Sequence, residues 1–128
     1  APVRERAAPR SLEGPVVNAV AELLAAHPRV SYALRINAGA ASYEAKSGQY
    51  APVHFHRWLK PTRGYRMPDI FGATKDGKTI AFEIKAPGWT KPRDDREREQ
   101  AAFLQLVREL GGYAAFITDA EQVAEMLR

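Results

Sequence analysis

The 128-residue chain contains no cysteine. That excludes disulfides, thiolate metal sites and a cysteine nucleophile, and it suits a reducing compartment, here expected to be the cytoplasm of a bacterium or phage-infected host cell. No run of about 18 apolar residues occurs, so no membrane span is expected. No glycine-rich phosphate loop is present, which argues against ATP use. There is no internal repeat and no low-complexity block. Acidic residues are fewer than basic ones, 15 against 19, for a net charge of +4. A basic balance fits a polyanion such as nucleic acid, although many small proteins carry it without such a partner.

What is present suits a single domain. An apolar fraction of 45% is ordinary for a globular chain and lets it bury a core without covalent staples. Residues 1–10 are polar, lack the apolar stretch of a signal peptide, and read as a flexible lead-in. Residues 11–128 then form the domain, with a long insert at about 37–68.

The periodicity predicts a helix from about Leu12 to His27, capped by Ser11, stopped by Pro28, with Val16, Val17, Val20, Leu23 and Leu24 on one face. A strand follows over Val30–Ile36. From Asn37 to Pro68 the pattern breaks down, with room for a short strand around Val53–Leu59. Loops this long in compact domains are often functional. Two strands are expected near Asp69–Thr74 and Thr79–Lys85, joined through Asp76-Gly77. A helix beginning at Asp94 or Asp95 runs to Leu110 and is ended by Gly111. A short buried strand over Tyr113–Ile117 and a last helix to Leu127, opened by a capping box over Thr118–Glu121, complete the order. The fold class is α/β, a central mixed sheet flanked by helices.

The sharpest local feature is Met67-Pro68-Asp69 followed by Phe82-Glu83-Ile84-Lys85. Glu83 and Lys85 project from one face of their strand while Ile80, Phe82 and Ile84 take the other. Two carboxylates converging on one point repel unless a cation sits between them, and hard oxygen donors favour Mg²⁺ or Mn²⁺. Such a site fits phosphodiester hydrolysis. The metal neutralises the scissile phosphate and acidifies a water, while a lysine beside that water orients it. Taken alone, Glu-x-Lys is more often a salt bridge between strands.

Convergence places a demand on the hairpin. A two-residue turn at Asp76-Gly77 would set Asp69 opposite Ile84, on the core face and away from Glu83. An odd loop length or a bulge flips the face, and a three-residue loop with Gly77 left-handed would do so.

Two helix residues add weight. Glu13 lies about 60° from Val16 around the first helix, inside the apolar stripe, whereas Glu22 falls on the wet face. Glu13 equally suits a helix N-terminus, where the dipole favours a carboxylate. Gln100 falls among Phe103, Leu104 and Val107, with Arg96 on the same face one turn earlier. Lys91-Pro92-Arg93 and the run Asp94–Glu99 read as a solvated loop and helix start. His54-Phe55-His56 lacks a third ligand and reads as polar loop positions.

Together, Leu12-Glu13, Asn37-Ala38-Gly39, Met67-Pro68-Asp69-Ile70, Glu83-Ile84-Lys85-Ala86, Gln100 and Gly111-Gly112-Tyr113-Ala114 resemble the VRR-NUC (virus-type replication-repair nuclease) family of the PD-(D/E)XK superfamily. The resemblance implies a restriction-endonuclease-like core and a metal-dependent endonuclease cutting branched DNA, similar to Holliday-junction resolvases and acting as a homodimer. It implies that Asp69, Glu83 and the Ile84 carbonyl hold the metal and that Lys85 positions the attacking water. Glu13 would orient a water on the metal or ligate a second one, and Gln100 would support the site from the later helix. Alternatives are a non-catalytic DNA-binding module with a nuclease fold, and a flap or restriction-type nuclease.

The insert carries no motif of that family from Ala40 to Arg66. Its Arg57, Lys60, Arg63 and Arg66 are expected to grip the DNA backbone. Tyr43, Tyr50, Phe55 and Trp58 are candidates for a dimer interface, where aromatic residues are enriched.

Overall fold

The computed structural model describes residues 2–36, 41–44, 50–53, 58–59 and 64–128, with only the backbone described at 2–11, 41–44 and 50–53. Helix α1 (Pro2–Ala26) leads into strand β1 (Val30–Arg35). A separate hairpin of β2 (Ala41–Glu44) and β3 (Tyr50–Val53) follows. The chain continues through β4 (Ile70–Thr74), β5 (Thr79–Ile84), α2 (Asp95–Glu109), β6 (Tyr113–Ile117) and α3 (Ala120–Met126). The main sheet has the order β1-β4-β5-β6. Its first two pairings are antiparallel and β5 pairs β6 in parallel, with α2 as the crossover. The domain is therefore a mixed α/β layer structure with a four-stranded mixed sheet flanked by helices. Among the described residues, no helix is long and apolar enough to cross a membrane.

The central strand β5 is buried on both faces, which is why it reads as a near-continuous apolar run. Ile80, Phe82 and Ile84 point to one side, where Val17, Val20 and Leu24 of α1 meet Val123 and Leu127 from the α3 end. Ala81 points to the other side, under Phe103, Leu104 and Val107 of α2. The small side chain at Ala81, matched by Ala114 beside it, lets α2 lie close over the sheet. Gly72 in β4 has a similar role toward β1. A Cβ there would collide with the Tyr32 carbonyl, beside the register shift between Val30 and Tyr32.

Three element boundaries differ from the sequence reading. Helix α1 starts at Pro2, so Ser11 lies within it and does not cap it. The segment Val3–Ala8 is rich in Ala, Arg and Glu, strong helix formers that carry the helix back past Ser11. The capping box of α3 is built one residue later than expected. Asp119 accepts from the Glu121 backbone and Gln122 accepts from the Asp119 backbone, and Asp is a stronger N-cap than Thr118 would be. In the insert, β3 ends at Val53, and residues 54–57 of the expected strand lie outside the described residues. Helix α2 matches closely, with Asp94 as its cap and Gly111 left-handed just past its end.

Candidate active site

The β4–β5 hairpin decides what meets at the site. Thr74 N–H donates to the Lys78 carbonyl at 2.8 Å, so residues 75–77 form a three-residue loop. Gly77 has φ +87°, the left-handed conformation such a loop requires. The ladder then pairs Ala73 with Thr79, Gly72 with Ile80, Phe71 with Ala81 and Ile70 with Phe82. One step further, Asp69 falls opposite Glu83 on the α2 side of the sheet. The odd loop length that convergence demanded is present.

Two hydrogen bonds fix this pair. Asp69 N–H donates to Glu83 Oε1 at 3.1 Å, and Ile84 N–H donates to Asp69 Oδ2 at 2.8 Å. The Asp69 carbonyl in turn accepts from Ile36 N–H at 2.7 Å, so the end of β1 holds the Asp69 backbone in line with the sheet. Pro68 is fully buried just before it. The Ile84 side chain belongs to the opposite core, leaving its backbone beside the carboxylates.

Glu83 is 5% exposed and Lys85 9%, unusual values for ionisable side chains. Burial pushes the Glu83 carboxyl up, and the neighbouring Asp69 charge pushes it further, to about 8, against the pull of Lys85. Lys85 Nζ lies 3.7 Å from Glu83 Oε2 and 2.9 Å from Glu97 Oε2. It also sits over the Phe116 ring. Trp89, carried back toward the sheet by the turn at Ala86–Trp89, stacks on Phe116 and donates its Nε1–H to Glu97 Oε2 at 3.1 Å.

Glu97 escaped the sequence reading, which assigned Asp94–Glu99 to solvent and Arg96 to the inward face. Arg96 is exposed, and Glu97 turns inward in its place. Burial pushes the Glu97 carboxyl up, but bonds from Lys85, the Arg93 backbone and Trp89 outweigh it and hold it below the usual carboxylate range. The available signal was positional. With Asp94 as N-cap, Glu97 occupies the third helical position, from which a carboxylate folds back on the helix start.

Gln100 is buried as expected, at 4% exposure, one turn beyond Glu97. Its Oε1 is buried with no hydrogen-bond partner among the described residues. Buried acceptors in native structures nearly always have a partner, and a water or an ion can serve as one. Glu13 is half-buried on α1, one turn before Val17, while Glu22 is exposed as expected. Among the described residues, no three His, Cys, Asp or Glu side chains gather into a metal-holding group.

Of the four basic residues expected on DNA, Arg57, Lys60 and Arg63 lie outside the described residues. Arg66 is exposed and pairs with Glu99 of α2 at 2.9 Å. The side chains of Tyr43 and Tyr50, and Phe55 with His54 and His56, are likewise outside the described set. Trp58 instead packs inside the chain, 5.1 Å from the Phe103 ring and 5.8 Å from Tyr65. It covers part of the α2 core and stays half-buried. A cleft of about 170 Å³ between α1 and β1, walled by Ala21, Leu24, Tyr32 and Leu34, includes no carboxylate in its lining.

Comparison of the chain with protein-family models, with curated proteins and with solved structures finds no match.

Proposed function

We propose that this protein is a divalent-metal-dependent DNA endonuclease with a PD-(D/E)XK-type core. The observation that carries this reading is the side-by-side placement of half-buried Asp69 and buried Glu83, with the Lys85 ammonium 3.7 Å from Glu83. A salt bridge between surface strands would be solvated, and a structural buried pair would match one carboxylate to one cation. Here two carboxylates face one another, a lysine adjoins them, and an acceptor at Gln100 has no donor among the described residues.

These donors fit a hard cation, since Asp69 and Glu83 offer carboxylate oxygens and the Ile84 carbonyl lies on the same strand. When bound, Mg²⁺ or Mn²⁺ supplies the charge that neutralises a scissile phosphate and makes water a stronger nucleophile. Asp69 and Glu83 hold the cation in the shelter of α2. Lys85 holds a positively charged Nζ at the same spot, where it orients the attacking water and stabilises charge as it develops. Gln100 accepts a hydrogen bond from a water at the site, and Glu13 supports it from α1. Branched DNA is the proposed substrate and a homodimer the proposed assembly, because a four-way junction presents two equivalent strands and one domain of this size offers one site.

The test is incubation with supercoiled plasmid and with a four-way junction, each with and without Mg²⁺. Cleavage of the junction only with Mg²⁺ supports the reading. Binding without cleavage under every metal condition sinks it and favours a non-catalytic binding module. Cleavage of linear duplex at fixed sequences favours a restriction-type nuclease.

A further inference from the structure

Lys85 has two carboxylate neighbours and sits closer to the one outside the expected metal site. Its Nζ is 2.9 Å from Glu97 Oε2 and 3.7 Å from Glu83 Oε2. Glu97 is itself fixed. Its Oε1 accepts from Arg93 N–H at 3.0 Å, its Oε2 accepts from Trp89 Nε1–H at 3.1 Å, and its own N–H donates to Asp94 Oδ1 at 2.8 Å. Trp89 is in turn held on the Phe116 ring at 4.4 Å. The Glu97 carboxylate is therefore anchored independently of the ammonium.

The Lys85 side chain is 11% exposed, so its charge cannot turn to bulk water and must find a carboxylate. With the Glu97 charge removed, Glu83 is the carboxylate left beside it. An ammonium seated on Glu83 occupies the oxygens that a divalent cation needs, and the cation must then displace it.

We propose that Glu97 is a positioning residue that draws the Lys85 ammonium off Glu83 and so keeps the Glu83 carboxylate open to a divalent cation. This rests on the metal-site reading above, and it adds a role to a residue that a capping function alone leaves unexplained. A residue that merely caps α2 needs no buried lysine on its carboxylate.

The experiment is calorimetric titration of the intact protein with Mn²⁺ alone, without DNA. Glu97→Gln keeps the shape and the acceptor for Arg93 N–H but loses the charge. It is expected to bind Mn²⁺ about 10- to 100-fold more weakly than the wild type, the usual range for outer residues of a metal site. The double variant Glu97→Gln with Lys85→Met recovers binding, because no ammonium is left to compete. A purely structural role predicts a lower melting temperature in both variants and no recovery. Trp89→Phe keeps the ring on Phe116 and removes the Nε1 donor. It gives the same pattern at smaller size and serves if Glu97→Gln does not fold. Equal Mn²⁺ affinity in the wild type and Glu97→Gln, or weakening that persists in the double variant, overturns the proposal while binding that is lost with Asp69→Asn leaves the metal site standing. Absence of Mn²⁺ binding by the wild type, or binding that survives Asp69→Asn, overturns both.

Discussion

Asp69 donates its backbone N–H to the Glu83 carboxylate at 3.1 Å, so the two acidic residues on adjacent strands are tied to each other and not merely near. Asp69 Oδ2 is occupied by the Ile84 N–H. Each carboxylate thus has one backbone partner and keeps further lone pairs for a cation.

Asp69→Asn and Glu83→Gln are each expected to abolish metal-dependent cleavage while leaving junction binding intact. Both are near-isosteric, and Asp69→Asn removes a negative charge that phosphate would otherwise meet, so binding by that variant tightens if it changes at all. A gel-shift assay in parallel with a cleavage assay checks both halves. Cleavage at the wild-type rate by either variant would remove that residue from the reaction.

The raised Glu83 carboxyl makes stability depend on pH. Its ordinary value of 4.5 applies in the unfolded chain and about 8 in the folded one, so the folded state holds the proton more tightly. The sign follows from linkage. The stabilising contribution is full below about 4.5 and is lost as pH rises through about 8. The metal-free protein in a chelator is therefore expected to melt at progressively lower temperature across that window, relative to Glu83→Gln, in which the group cannot ionise. Addition of Mn²⁺ should reverse the trend at the alkaline end. A difference between wild type and Glu83→Gln that stays constant with pH would show that Glu83 keeps an ordinary affinity for its proton.

Most of the fold was legible because patterning, turns and caps agreed. Asp94 before α2, Gly111 after it and the alternation of Ile80, Phe82 and Ile84 each set a boundary or a face locally. The pairing of Asp69 with Glu83 was legible only as a condition on the hairpin, since register depends on a single loop residue. Glu97 was not legible from periodicity. Arg96 and Glu97 are adjacent, and which of them turns inward depends on packing against Lys85 and Trp89. The packing of Trp58 on α2 was not legible for a related reason. Its ring fills a gap over Phe103 that exists only once α2 has docked.

Glu13 and Glu22 provide an internal comparison on one helix. Glu13 is half-buried on the side of Val17, and Glu22 is exposed. Glu13→Gln is expected to lower cleavage about 10- to 100-fold if its carboxylate supports the site from outside the metal's own ligands. Glu22→Gln should leave cleavage unchanged. Steady-state rates on a junction substrate, with melting curves to exclude misfolding, distinguish the two. Matching small effects would assign Glu13 to the helix N-terminal region alone.

The last prediction concerns Gly77, the residue that sets the register of the site. Its φ of +87° costs a side-chain-bearing residue about 1–2 kcal/mol. No atom lies within 4 Å of where a Cβ would stand, so the cost of Gly77→Ala is backbone strain and not collision. The variant is expected to lose that amount in urea melts and to cleave at the wild-type rate, because the Thr74–Lys78 closure survives. Insertion of one alanine between Ala73 and Thr74 is different in kind. It keeps the Thr74–Lys78 loop, sets Ala73 opposite Ile80, and so sets Asp69 opposite Ile84, with Asp69 driven into the face that holds Phe82 and Ile80. The chain then buries an unpaired carboxylate there, and both stability and cleavage fall. Melting and cleavage measured on the two variants separate register from local strain. An insertion variant that folds and cuts normally would mean that the carboxylates meet by some route other than this register.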